Sequence, residues 1–171
     1  ITRIEAGAVS LQLAPIQVGE IVDSCLRFFA GAINDKQINI SIPPHDAWPE
    51  IIADQRLVHQ MLLKLLSNAI KYSPPGSQVD ISLKVEPDHR LRIVVADTGI
   101  GMTADEIGIA LERFGQVDGA LSKSNDGTGL GLPLVKLLAE LHGGVFQIES
   151  EKDHGTRAII TFPPERAVLT N

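Results

Sequence analysis

The chain predicts an α+β fold, with helices packed on one face of a mixed, largely antiparallel sheet. Three observations carry that expectation. Val79, Ile81, Leu83 and Val85 alternate with Asp80, Ser82, Lys84 and Glu86, the period of a half-buried strand, and a turn at Pro87 to Arg90 leads back into the apolar run 91–96 (LRIVVA). Residues 145–149 and 157–162 read as a second antiparallel pair about a turn at His154 and Gly155. Segments of helical period stand before and between these pairs, so helices and hairpin-linked strands must share one core.

Taken in order, residues 1–7 (ITRIEAG) read as the last turns of a helix closed by Gly7, which tolerates the left-handed terminating conformation. Residues 10–13 read as a short strand. Residues 18 to about 34 read as an amphipathic helix with Ile21, Val22, Cys25, Leu26 and Phe29 inward. Ile38, Ile40 and Ile42 alternate with polar residues before a turn at Pro43 and Pro44. After the apolar run 51–53, Asp54 can cap a long helix that continues to Tyr72 and ends before Pro74, Pro75 and Gly76. The run 91–96 is more continuously apolar than the strand before it, which places it centrally in the sheet with Asp97 at its end. Thr103 and Glu106 form a capping-box pattern for a short helix to about Glu112. Residues 118–127 (DGALSKSNDG) have little to bury and predict a mobile loop. A helix returns over 133–142, with Pro133 in its first turn and Gly143 and Gly144 past its end. The tail after Pro164 is expected to fray.

With 171 residues, 44% of them hydrophobic, the chain can build one core. A net charge of −6 with scattered basic residues, and a pI near 5.3, exclude a nucleic-acid-binding surface. Cys25 is alone, so no internal disulfide forms, and a buried thiol in a reducing cytoplasm is expected. No apolar run reaches the roughly 20 residues needed to span a bilayer, so no direct membrane contact is expected. Because the sequence opens at Ile1 inside a helical pattern, it is expected to be a fragment of a longer, soluble or membrane-anchored, protein.

Four segments carry chemistry. On the long helix, Gln60, Lys64, Ser67, Asn68 and Lys71 share a polar stripe. The apolar remainder is too broad for a surface helix, so the stripe is expected to face a cleft. Asp97, Gly99, Ile100 and Gly101 lie in DTGIG, where the glycines permit close backbone approach and the aspartate offers only acceptors. A buried carboxylate needs a donor, and the exocyclic amine of adenine is one, whereas guanine would oppose it with a carbonyl. Gly127, Thr128, Gly129, Leu130, Gly131 and Leu132 (GTGLGL) bring alternating glycines to a helix start, which suits phosphate oxygens. Neither the Walker lysine nor a Rossmann arrangement surrounds that run.

Together these segments resemble the sensor histidine kinase catalytic domain, of the superfamily that also holds gyrase, Hsp90-type chaperones and MutL. LLKLLSNAIKYSPPG resembles its N box, VADTGIGM its first glycine box, ERFGQ its F box, and GTGLGLPLVKLLAELHGG its second glycine box with the following helix. The resemblance implies a two-layer α/β sandwich of the Bergerat type over residues 10–164, preceded by the end of a dimerisation helical hairpin (1–9) and followed by a tail (165–171). It implies binding of ATP and Mg2+ and transfer of the γ-phosphoryl group to a histidine upstream. Asn68 would hold the magnesium, Lys71 would contact phosphate, and Tyr72 would pack near ribose and adenine. Asp97 would read adenine, with Gly99, Ile100 and Gly101 beside it. Arg113, Phe114 and Gln116 would border the lid and reach toward the phosphates, Gly127 to Leu132 would wrap them, and Thr156 would support adenine through water. The implied partners are the phosphoacceptor helix of the same or a partner chain and a response-regulator receiver domain, in a cytoplasmic, homodimeric parent; this piece alone would be a monomer.

One departure stands out: Lys64 occupies a place where the family often carries asparagine and gyrase-like ATPases a glutamate base. A lysine cannot coordinate a cation, though its ammonium could offset phosphate charge. Lys64 therefore keeps open a nucleotide-binding module that no longer transfers phosphate, and the missing glutamate speaks against a gyrase- or MutL-like hydrolase. None of the five histidines has the setting of a phosphoacceptor.

Overall fold

A computed structural model describes residues 10–44, 48–112 and 131–168. Its first strand, β1 (Ala14–Ile16), pairs antiparallel with β3 (Ile51–Ala53) in a small two-stranded sheet. The strand expected at 10–13 thus lies further along. The Gln12 N–H is taken by the Asp54 carboxylate at 2.9 Å, so the ladder starts only at Ala14.

The amphipathic segment that follows is two helices rather than one. α1 (Val18–Phe28) buries Ile21, Val22 and Cys25, and α2 (Ala30–Asp35) follows a break at Phe29. No residue of α2 is buried, and a Cβ on Gly31 would meet open space, so little packing holds the two as a single rod. Leu26, Phe29 and Ile33 still reach the edge of the core. Burial pushes the Cys25 thiol up to about 11, so it is an inert packing residue.

The main sheet has the order β2 (Asn39–Ser41), β4 (Gln78–Val85), β5 (Leu91–Asp97), β7 (Gly155–Phe162), β6 (Val145–Glu151). Every neighbouring pair is antiparallel except β2 with β4. β5 is central, as its largely apolar run, interrupted only by Arg92, leads one to expect. Val79, Ile81, Leu83, Ile93, Val95, Ile160 and Phe162 turn to one face and join Leu62, Leu65 and Leu66 of α3 (Gln55–Lys71) and Val135 and Leu138 of α5 (Gly131–Leu141) in one cluster. The other face carries the ion pairs Arg92–Glu86 and Arg157–Glu149. Helices therefore cover one side of a mixed, mainly antiparallel sheet, the α+β sandwich expected.

α3 is N-capped by Asp54, which accepts from the Arg56 and Leu57 N–H groups, and α4 (Ala104–Leu111) by the full Thr103–Glu106 capping box. The tail departs from expectation: residues 164–166 form a 3-10 turn, Ala167 bridges to Ile51, and the Val168 N–H donates to Glu50 at 3.1 Å. Its described backbone groups find partners at Glu50 and Ile51, so residues 164–168 dock instead of fraying, and 169–171 lie outside the described residues.

Candidate nucleotide site

α3 delivers the first half of the site. Leu57, Val58, Met61, Leu62, Leu65, Leu66, Ala69 and Ile70 are buried, while Gln60, Ser67, Asn68 and Lys71 are half-buried. The polar stripe is thus more open than the apolar faces of the same helix. Among the described residues nothing hydrogen-bonds to the Asn68 amide, so its oxygen is left for an outside partner. Lys71 holds its ammonium 5.2 Å from the centroid of the Tyr72 ring. Lys64 is exposed on the same stripe, and its Cδ would lie 3.9 Å from a Cβ placed on Gly131, so its stem runs beside the start of α5.

β5 delivers the second half. Asp97 is half-buried at the strand end, and its Oδ1 accepts from the Gly99 N–H at 2.8 Å. Burial raises the Asp97 carboxyl pKa, and the Gly99 and Thr156 N–H groups oppose the rise without cancelling it. A carboxylate short of donors is suited to accept from a ligand.

The two halves are tied backbone to backbone. The Ile100 N–H donates to the Tyr72 carbonyl at 3.1 Å, and a Cβ on Gly99 would come within 2.6 Å of that carbonyl and 2.7 Å of Asp97 Oδ1. Only glycine fits there. Gly101, at φ +59°, would drive a Cβ into the Glu151 carbonyl, and Gly155, at φ +96°, into that of Asp97. The β6–β7 turn thus forms a close wall behind the DTGIG segment, where the Asp153 N–H also donates to the Ile100 carbonyl at 2.8 Å.

Two residues without a sequence motif complete the frame. Ser150 Oγ accepts from the Met102 N–H at 2.8 Å, donates to the Gly155 carbonyl at 2.9 Å and lies 2.8 Å from Thr156 Oγ1. With its single proton used on Gly155, Ser150 takes the Thr156 proton, so Thr156 shows an acceptor oxygen to its surroundings. The hairpin register places Ser150 opposite Thr156, a pairing that the turn at 154–155 could have revealed. Lys36 Nζ donates to the carbonyls of Ile70, Lys71 and Ser73 at 2.8, 2.9 and 3.0 Å. Nothing in the sequence flags that contact.

Gly131 opens α5 and Leu132 packs against the core. Arg113, Phe114, Gln116, Gly127, Thr128, Gly129, Leu130 and the loop expected at 118–127 lie outside the described residues. No cluster of three or more His, Cys, Asp or Glu able to hold a metal occurs among the described residues. A groove of about 960 Å³ opens at the other end of α3, lined by β1, α1 and Asp54 to His59, away from these groups.

The profile of the "Histidine kinase-, DNA gyrase B-, and HSP90-like ATPase" family matches residues 53–166, from the strand before α3 through the docked tail. The chain belongs to this family. Its relatives lie on the histidine kinase branch. The cell-division control histidine kinase PdhS of Brucella anthropi is 36% identical over 98% of this chain, and the sensor-like histidine kinase R01002 of Rhizobium meliloti 37% identical over 96%. The chain spans 17% and 31% of those two proteins. Among solved structures, full-length ShkA in complex with AMPPNP superposes with a TM-score of 0.81 at 28% identity, over 99% of this chain and 34% of that one. The mycobacterial sensor histidine kinase MprB gives 0.72 at 27%, over 88% and 97%. The described part is thus a histidine kinase ATP-binding catalytic domain in fold and family. No described helix is long and apolar enough to cross a membrane.

Proposed function

We propose that this domain binds Mg-ATP between the end of α3 and the end of β5 and transfers the γ-phosphoryl group to a histidine imidazole on a helix upstream. The tie between Tyr72 and Ile100 carries the reading. It joins the end of α3, which carries Asn68 and Lys71, to the segment that follows Asp97 at the end of β5, and a purine triphosphate is a ligand that would use an amide, an ammonium and a carboxylate together. Asp97 accepts from the adenine amine, and Thr156 offers a second acceptor for a bridging water. Gly99 and Gly101 let the base approach the backbone, Ile100 and Tyr72 flank it, and Lys71 reaches the phosphates.

Magnesium, when bound, neutralises phosphate charge, and the Asn68 oxygen suits a cation that keeps most of its waters. The residues at 127–132 would wrap the phosphates, and Arg113, Phe114 and Gln116 would border the lid. In the transfer itself an imidazole nitrogen attacks the γ-phosphorus, the bond to the β,γ-bridging oxygen breaks, and ADP leaves with the electron pair. The step depends on alignment and charge compensation, which Lys71 and the backbone amides supply. Lys64, beside Gly131, adds positive charge at the mouth of the site. The hydrolase reading is not favoured, since the relatives named above are histidine kinases.

The reading extends to the parent as a cytoplasmic, homodimeric kinase that passes phosphate to a receiver domain. Asn68→Ala in a protein extended upstream tests the reaction. Autophosphorylation is expected to vanish with the thermal melt unchanged, and activity retained near wild type would reject the role of Asn68.

A further inference from the structure

The last turn of a helix leaves carbonyls without intrahelical partners, and the end of α3 is where Asn68, Lys71 and Tyr72 stand. Among the described residues, its acceptors divide between two donors. Lys36 takes Ile70, Lys71 and Ser73, and Ile100 takes Tyr72, which lies between them. All three protons of the ammonium are used, and no described carboxylate lies within ion-pair distance, so its charge is met by carbonyl dipoles at the negative end of the helix. The buried Ser73 hydroxyl has no hydrogen-bond partner and cannot substitute for the lysine. Lys36 is itself anchored, because its N–H donates to Ala32 and its carbonyl accepts from Gly76, the glycine that turns the chain after α3.

We propose that Lys36 is a positioning residue for the nucleotide: its ammonium clamps the carbonyls on either side of Tyr72, and so holds the Tyr72 carbonyl where it fixes the Gly99–Ile100 backbone beside Asp97. The proposal rests on the ATP-binding reading above. Lys36 touches no ligand. It acts through the helix end, across a separation of 34 to 37 residues in sequence.

Calorimetric titration with AMPPNP and magnesium, together with amide hydrogen exchange, tests it. Lys36→Met is expected to weaken binding about tenfold or more, the loss of one charge-assisted anchor, and to speed exchange at the Ile100 N–H. Lys36→Arg, which keeps a cation with several donors, is expected to recover most of the affinity. Leu83→Ala, a core truncation in β4 away from the site, supplies a comparable loss of melting temperature and is expected to bind AMPPNP as wild type does. If Lys36→Met does not fold, Lys36→Gln takes its place with the same expectation. Wild-type affinity in the Met or Gln variant, or an equal loss in Leu83→Ala, overturns the proposal. If wild type itself binds no AMPPNP, the ATP-binding reading fails, and the exchange rate at Ile100 still decides whether Lys36 holds the tie.

Discussion

An aspartate stands at a chain crossing beside each end of α3, Asp54 as its N-cap and Asp97 at the end of β5, and the two carboxylates are treated in opposite ways. Asp54, 1% exposed, begins the helix and is saturated with donors: the N–H groups of Gln12, Arg56 and Leu57, and the guanidinium of Arg56. Burial would raise its pKa, but these hydrogen bonds outweigh the burial and hold it at about 2. Asp97, beside the helix's other end, has two backbone donors, and burial wins, so its pKa rises. A carboxylate whose acceptor sites are all filled is a structural fastener, whereas one left short is held for a ligand.

Replacing each aspartate should separate the two roles. Asp97→Asn turns one face of the carboxylate into a donor aimed at the adenine amine, so AMPPNP affinity measured by calorimetry should fall about 100-fold or more. Stability should move little. The substitution removes the cost of an ionised buried group and gives up one backbone partner, so urea unfolding should stay within about 1 kcal/mol of wild type. An Asp97→Asn protein that still binds as wild type would mean that this carboxylate does not read the base.

Asp54→Ala should show the reverse. It removes a helix cap and leaves the Gln12 and Leu57 N–H groups without their acceptor, at a combined cost of about 3 kcal/mol in urea unfolding. AMPPNP affinity of the folded fraction should be unchanged, because the cap lies at the far end of the helix from Asn68. The pH dependence follows from the sign. The folded pKa lies below the ordinary 3.8, so this stabilisation is complete above that value and is lost as pH falls from there toward about 2. Wild type and Asp54→Ala should therefore converge in acid.

The saturated end was the more legible in sequence. Asp54 ahead of an apolar helix, the Thr103 and Glu106 spacing, and the alternation of β4 are local patterns, and each names its own partner. Asn68 and Asp97 were singled out by their segments, but the contact between those segments runs through backbone atoms that carry no residue identity, namely the Tyr72 carbonyl and the Ile100 N–H. The same reason hid Lys36, whose partners are three carbonyls, and Gln12, whose N–H sets where β1 begins. The break at Phe29 and the docking of Ala167 on Ile51 leave no signal in the sequence, because weak packing and tertiary pairing have no period. Nothing in the sequence around His142 shows that it joins the start of α3 to the end of α5.

That histidine completes the saturated end and gives the smallest effect. It is fully buried, stacks edge-on against Phe162 at 5.7 Å, accepts the Asp54 N–H at Nε2 (3.1 Å) and lies 2.7 Å from the Leu138 carbonyl at Nδ1. A backbone N–H pointing at Nε2 requires that nitrogen to be bare, so the neutral ring carries its proton on Nδ1. Protonation would set two N–H groups against each other. Burial accordingly lowers the pKa; the nearby Arg166 adds to that, while the Leu138 carbonyl and the Asp54 carboxylate oppose it. A base with a depressed folded pKa destabilises the fold as pH falls through its unfolded value of 6.5, because the unfolded chain takes up a proton that the folded one refuses. His142→Gln keeps an acceptor for the Asp54 N–H at the cost of about 1 kcal/mol near pH 7.5, measured in urea, and cannot be protonated. Below pH 6.5 its curve should run flatter than that of wild type, and an unchanged slope would show that the ring accepts its proton in place.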